Sequence, residues 1–80
     1  MGYIILRQHV QTMANSDKYF ELPQEETVTI GDSMNDHPMV VWSNMGVAVG
    51  NADPRLMASA NMVTTKSRAD GVLEAIDMLF

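Results

Sequence analysis

The sequence predicts an α/β chain built on a small, open, parallel sheet of about three strands and four helices. Three observations carry that prediction. Short runs with β-rich character on both faces recur at residues 27–30, 45–49 and 62–64, the pattern of strands buried on two sides. Each run is followed by a stretch of helical character. Two of those stretches open with an aspartate and then a proline, at Asp36 with Pro38 and at Asp53 with Pro54, which suits a capped first turn. Strand and helix alternating in this way imply right-handed parallel crossovers.

Taken in order, residues 3–6 (Tyr-Ile-Ile-Leu) read as a short strand or the start of a helix. Val10, Met13, Ala14 and Phe20 partly follow helical spacing, and no Pro or Gly interrupts from Arg7 to Leu22. The spacing therefore predicts a helix over about 6–20. Leu22-Pro23 ends it, because a residue before proline avoids the α region. Residues 23–26 form a connector, 27–30 the first parallel strand, and 31–36 a polar loop. A short helix is expected from residue 37 to 42 or 43, then a strand over 45–49, a Gly50-Asn51-Ala52 turn, and a helix over 53–60. A third short strand at 62–64 leads through a polar loop over 65–70 into a last helix starting at Asp70-Gly71. There Val72, Ala75, Ile76, Leu79 and Phe80 share one face.

Composition narrows the function classes. Eighty residues make one small domain. Ten acidic and five basic side chains give a net charge of −5, which argues against nucleic acid as a partner. There is no cysteine, so neither a disulfide nor a thiolate metal site is available, and a cytoplasmic location is the default expectation. No apolar run approaches the roughly 20 residues of a membrane span, and the first ten residues do not form a secretory signal. The eight methionines suit an irregular core better than a ligand role.

The chemistry concentrates in Gly31-Asp32-Ser33-Met34-Asn35-Asp36. Ligands of open α/β sheets sit beyond the carboxyl ends of the strands, and this loop occupies such an end. Asp32 follows the strand directly. Carboxylate oxygens there suit Mg²⁺, which is usually held by one or two carboxylates together with phosphate and water. Asn35 offers an amide donor for a phosphate oxygen. Asp36 can orient the loop, bind a metal-bound water, or cap the following helix. Gly50, Asn51 and Asp53 lie at the end of the next strand. Asp and Asn also serve as plain turn and cap residues, and Asp53 reads as a cap.

Gly31-Asp32-Ser33-Met34-Asn35-Asp36-His37-Pro38-Met39 resembles the fourth motif of the haloacid dehalogenase-like hydrolases. More narrowly it looks like the Cof-type sugar-phosphate phosphatases with a type IIB cap. Gly46-Val47-Ala48-Val49-Gly50-Asn51-Ala52, Met62-Val63-Thr64 and Asp70-Gly71-Val72 continue that likeness in the family's order. The resemblance covers residues 27–80, while 1–26 match weakly. It implies the C-terminal portion of a haloacid dehalogenase-like core, a partial Rossmann-like sheet. It also implies Mg²⁺ as cofactor, Asp32 as its ligand with Asp36 in support, Asn35 and Asn51 on substrate phosphate, and a phosphorylated small molecule as substrate. Such enzymes act through an aspartyl-phosphate intermediate.

The family's nucleophile lies in an Asp-x-Asp motif, and none occurs in these 80 residues. The family lysine before the fourth motif would fall near His9, with Arg7 and Lys18 the nearest bases. The expectation is a fragment of a Mg²⁺-dependent phosphate-monoester hydrolase that is inactive alone. Lacking a neighbour, residues 27–30 would form an open apolar edge. The alternative reading is therefore a non-catalytic interaction module that homodimerises through that edge.

Overall fold

The computed structural model describes residues 2–7, the backbone of 11–14, and 18–80. Five strands form one sheet: β1 (Gly2–Leu6), β2 (Gln11–Ala14), β3 (Thr27–Gly31), β4 (Met45–Ala48) and β5 (Met62–Val63), in the order β2-β1-β3-β4-β5. β3, β4 and β5 run parallel, as their two-faced apolar character requires. Between them lie α1 (His37–Trp42) and α2 (Pro54–Ser59), and α3 (Arg68–Leu79) follows β5. α1 and α2 are successive crossovers in the same direction across the sheet, and they pack against each other. Among the described residues no helix is long and apolar enough to cross a membrane.

The helix expected over 6–20 is replaced at its described positions by an antiparallel hairpin. β1 pairs with β2 on one side and with β3 on the other, from Gly2 opposite Gly31 to Leu6 opposite Thr27. Ile4, Ile5 and Leu6 are all buried, so this strand is covered on both faces. The helical reading leaned on weak spacing that included Phe20, which is 60% exposed and contributes nothing to a core face. Pairing with a buried strand outweighs such a local preference. Val10 lies outside the described residues. Residues 19–21 form a single 3-10 turn.

The open edge expected at 27–30 is closed for the same reason. β3 has a neighbour on each side, and each of its residues is buried. The homodimerisation reading thereby loses its premise. The two buried threonines of β3 are satisfied. Thr27 Oγ1 donates to the Gln24 carbonyl at 2.6 Å, and Thr29 Oγ1 shares a 2.7 Å hydrogen bond with Ser43 Oγ. A polar side chain inside a sheet is tolerated only when paired in this way.

One core cluster joins Ile5, Val28 and Ile30 of the central strands to Val47 and Val49, Val40 of α1, Leu56 of α2 and Ala75 of α3. Gly46 lets α1 approach β4. A Cβ there would stand 2.2 Å from the Val40 carbonyl oxygen. The core thus fixes β3 and β4 side by side, with their carboxyl ends at one edge.

Candidate functional site

At that edge the loop after β3 folds back on its own aspartate. Asp36, 2% exposed, ends a single 3-10 turn (Met34–Asp36). Its Oδ2 accepts from the backbone N–H of Asp32 at 3.1 Å and of Ser33 at 3.3 Å, with Ser33 Oγ at 3.5 Å. Ser33 and Asp36 thus form a reciprocal capping box. The capping role expected of Asp36 toward the next helix is a correction: its side chain makes no capping bond to α1. The backbone explains the choice, because Asp36 is itself in the right-handed helical region and its carboxylate faces the preceding N–H groups. The turn needs glycine at position 31, where a Cβ would lie 2.6 Å from Asp36 Cβ.

Asp32, half-buried, is thereby held at the mouth of the central strand. Its carbonyl accepts the Asp53 N–H at 2.9 Å, and the Gly31 carbonyl accepts the Val49 N–H at 3.2 Å. The loops after β3 and β4 are therefore tied backbone to backbone. Asn35 is exposed on the 3-10 turn, and Asn51 is exposed on the neighbouring loop.

Asp53 caps α2 as the sequence predicts. Its Oδ1 accepts the Arg55 N–H at 2.9 Å, and the Arg55 guanidinium closes on the carboxylate at 2.8 Å. The guanidinium hydrogen bond first, and the backbone one next, lower the Asp53 pKa from 3.8 to about 2. Because the folded value is depressed, the cap's contribution is complete above pH ~4 and is lost as pH falls toward ~2. An NMR titration of the Arg55 amide is expected to report a midpoint near 2. In Asp53→Asn that transition should disappear, since the amide oxygen still caps but does not titrate. A midpoint at the ordinary carboxylate value would contradict the pairing.

A third loop, after β5, completes the edge. Lys66 O accepts from Gly50 N–H at 2.9 Å and from Thr64 Oγ1 at 2.7 Å. Glu74 on α3 receives Thr65 N–H (3.0 Å), Thr65 Oγ1 (2.8 Å) and Lys66 N–H (3.0 Å). The Thr65 bonds, backbone first, pull the Glu74 pKa below its usual value. Arg68 begins α3 in the left-handed backbone region at φ 55°, a conformation costly for a side chain with a Cβ. Its N–H donates to Asn51 Oδ1 at 3.1 Å. The amide oxygen of Asn51 is thus engaged as an acceptor, and its NH₂ group is the donor of the pair. Asn51, Thr65, Lys66, Ser67, Arg68 and Asp70 line an open depression of about 640 Å³. Two of the chain's five basic residues, Lys66 and Arg68, stand at it.

Of the sequence candidates, Asp32, Asn35 and Asp36 share one loop, and Asn51 sits on the loop hydrogen-bonded to it. His37 instead spans α1 and α2, with Nε2 3.2 Å from Ser59 Oγ. His9, nearest the expected lysine position, lies outside the described residues. Among the described residues no three His, Cys, Asp or Glu side chains converge to hold a metal. The donors present suit a hard cation, but Asp36 Oδ2 is committed to backbone N–H groups. Asp32 is the other carboxylate of this loop, half-buried at the end of β3. The polar loop after β5 is expected from the sequence, but its anchoring by Glu74 and its contact with Asn51 are not. An acidic residue in a terminal helix gives no sign that its partners lie eight and nine positions back.

The chain and its fold have counterparts among known proteins. The sequence profile of the haloacid dehalogenase-like hydrolases matches residues 8–76. The chain is 47% identical over 58 residues to a phosphoglycolate phosphatase of Methanosarcina acetivorans, covering 72% of this chain and 26% of that protein. It is 41% identical over 56 residues to the phosphoglycolate phosphatase of Staphylothermus marinus, covering 70% and 24%. Among solved structures, a haloacid dehalogenase-like hydrolase from Bacteroides thetaiotaomicron superposes with a TM-score of 0.69 at 38% identity, over 79% of this chain and 24% of that one. The chain spans about a quarter of the length of the curated relatives it matches.

Proposed function

From the premise that this chain belongs to the haloacid dehalogenase-like hydrolases, we propose that it is the C-terminal part of a Cof-type, Mg²⁺-dependent phosphate-monoester hydrolase. Asp32 supplies one metal ligand. Asp36 holds the Asp32 backbone and supports the metal without ligating it directly. Asn35 and Asn51 donate N–H to phosphate oxygens. Mg²⁺, when bound, neutralises charge on the transferring phosphoryl group. The nucleophile comes from outside these 80 residues, which contain no Asp-x-Asp. The substrate is a small phosphorylated molecule of the sugar-phosphate class. Lys66 and Arg68 beside Asn51 also suit one with a second acidic group, as phosphoglycolate, named for two of the relatives, has. The place of action is the cytoplasm.

The observation that carries this reading is Asp32 at the end of a fully buried central strand, its backbone held by Asp36 on one side and Asp53 on the other. A single anchored carboxylate binds Mg²⁺ weakly. Titrating the chain with Mg²⁺ is expected to shift the amide signals around residues 31–36, and Asp32→Asn should abolish those shifts. The same sample should hydrolyse p-nitrophenyl phosphate no faster than buffer. Clear turnover by the pure 80-residue chain would overturn the assignment of the nucleophile elsewhere, and Mg²⁺ shifts that survive Asp32→Asn would overturn the ligand.

A further inference from the structure

We infer that Glu74 is a positioning residue for Asn51, acting through the loop after β5; the use of Asn51 rests on the phosphate reading above. Both anchors of Asn51 lie in residues 66–68. Its predecessor Gly50 donates to Lys66 O, and its own Oδ1 accepts from Arg68 N–H. Lys66 is in turn clamped at both ends, its N–H on Glu74 Oε1 and its carbonyl on Gly50 N–H and Thr64 Oγ1. Glu74 is the side chain that fixes this loop from α3. Its two oxygens take three donors, two from Thr65 and one from Lys66. Hydrogen bonds to an ionised carboxylate are about twice as strong as neutral ones. Glu74 therefore sets where the 66–68 segment stands, and that segment sets how the Asn51 amide is aimed. This carboxylate thereby helps to hold the shape of the depression bordered by Asn51, Lys66 and Arg68.

Glu74→Gln tests the assignment with little change in shape. A carboxamide has one acceptor oxygen, and its NH₂ would meet the N–H groups that the carboxylate accepts. Hydrogen exchange in the chain without ligand is the first readout. Gly50 N–H should exchange about tenfold faster in Glu74→Gln, while Asp53 N–H, bonded to Asp32 O, keeps its rate. A merely destabilised fold would speed both together. The second readout is a titration with inorganic phosphate, followed at the Asn51 side-chain amide. Its affinity should fall roughly tenfold in the variant. Thr65→Val removes only the hydroxyl donor and should move both readouts in the same direction by a smaller factor, so the test survives if Glu74→Gln folds poorly. Equal exchange at Gly50 in folded variant and parent would overturn the positioning role. If phosphate shifts Asn51 equally in both chains, Asn51 stands and Glu74 alone fails. If Asn51 in the unaltered chain ignores phosphate, the phosphate reading fails and takes the use of Glu74 with it.

Discussion

Gly46→Ala is expected to bring the chain to the edge of unfolding. The added Cβ would lie 2.2 Å from the Val40 carbonyl oxygen, 2.7 Å from Val40 Cγ1 and 3.0 Å from the Val40 carbonyl carbon. Two of these are backbone atoms of α1, so no side-chain rotation relieves the clash. Nor can β4 retreat. Gly46 N–H donates to Asn61 Oδ1 at 2.8 Å, and Gly46 O accepts Asn61 N–H at 2.8 Å. α1 must lift from the sheet, which opens the contacts of Val40 with the core. Overpacking of this severity costs about 3–4 kcal/mol, at or beyond the upper end of the usual range. A domain this small has on the order of 4–12 kcal/mol in all. With a urea slope of about 1 kcal/mol/M, the midpoint should drop by roughly 3 M. An unchanged midpoint would show that α1 can shift without loss.

Ile5→Pro is the second large effect. β1 has a neighbour on each side, so the Ile5 N–H lies in a ladder whichever way it points. Proline removes that donor and cannot be accommodated in a central strand. The substitution also empties a core position that is 2% exposed. Together these should cost about 3 kcal/mol or more. Ile5→Pro differs from Gly46→Ala in kind: the loss falls on the hairpin and uncovers the buried flank of β3. Such an apolar edge pairs with other chains. Light scattering should find concentration-dependent association in Ile5→Pro and none in the parent under the same conditions. A monomeric variant with the parent's thermal midpoint would mean that β1 is dispensable.

These two sites also mark what the sequence makes legible. The β3–loop–α1–β4–α2 segment is readable because its signals are local. A buried run ends at a glycine, and Pro38 and Pro54 start helices within a residue or two of their expected places. Asp53 behaves as the cap it resembles. The hairpin is not readable in that way. Residues 3–13 hold no Gly, Pro, Asn or Asp to mark a break between two strands. β1 becomes a strand by pairing with β3, some twenty residues later, and no periodicity within residues 2–14 encodes that partner. Asp36 is an intermediate case. Ser33-x-x-Asp36 is a capping-box pattern visible in the sequence, yet the same aspartate also stands directly before a helix, and only the backbone conformation decides between the two roles. The position of Asp32 is legible from the sequence alone, because its place after a buried strand follows from the strand. Glu74 is found only once the chain is folded.

The antiparallel hairpin gives this chain a built-in competitor. Any separate polypeptide offering a strand to the same flank of β3 must displace β1, which is tethered to β3 through residues 7–26. A strand of the same chain competes at an effective concentration on the order of millimolar. The incoming strand therefore binds only the fraction of molecules in which β1 has let go, and its apparent dissociation constant rises by the inverse of that fraction. Weakening β1 shifts this balance toward the visitor. Reconstitution of the sheet from two pieces is thus governed less by how well the second piece fits than by how tightly the first has closed on itself.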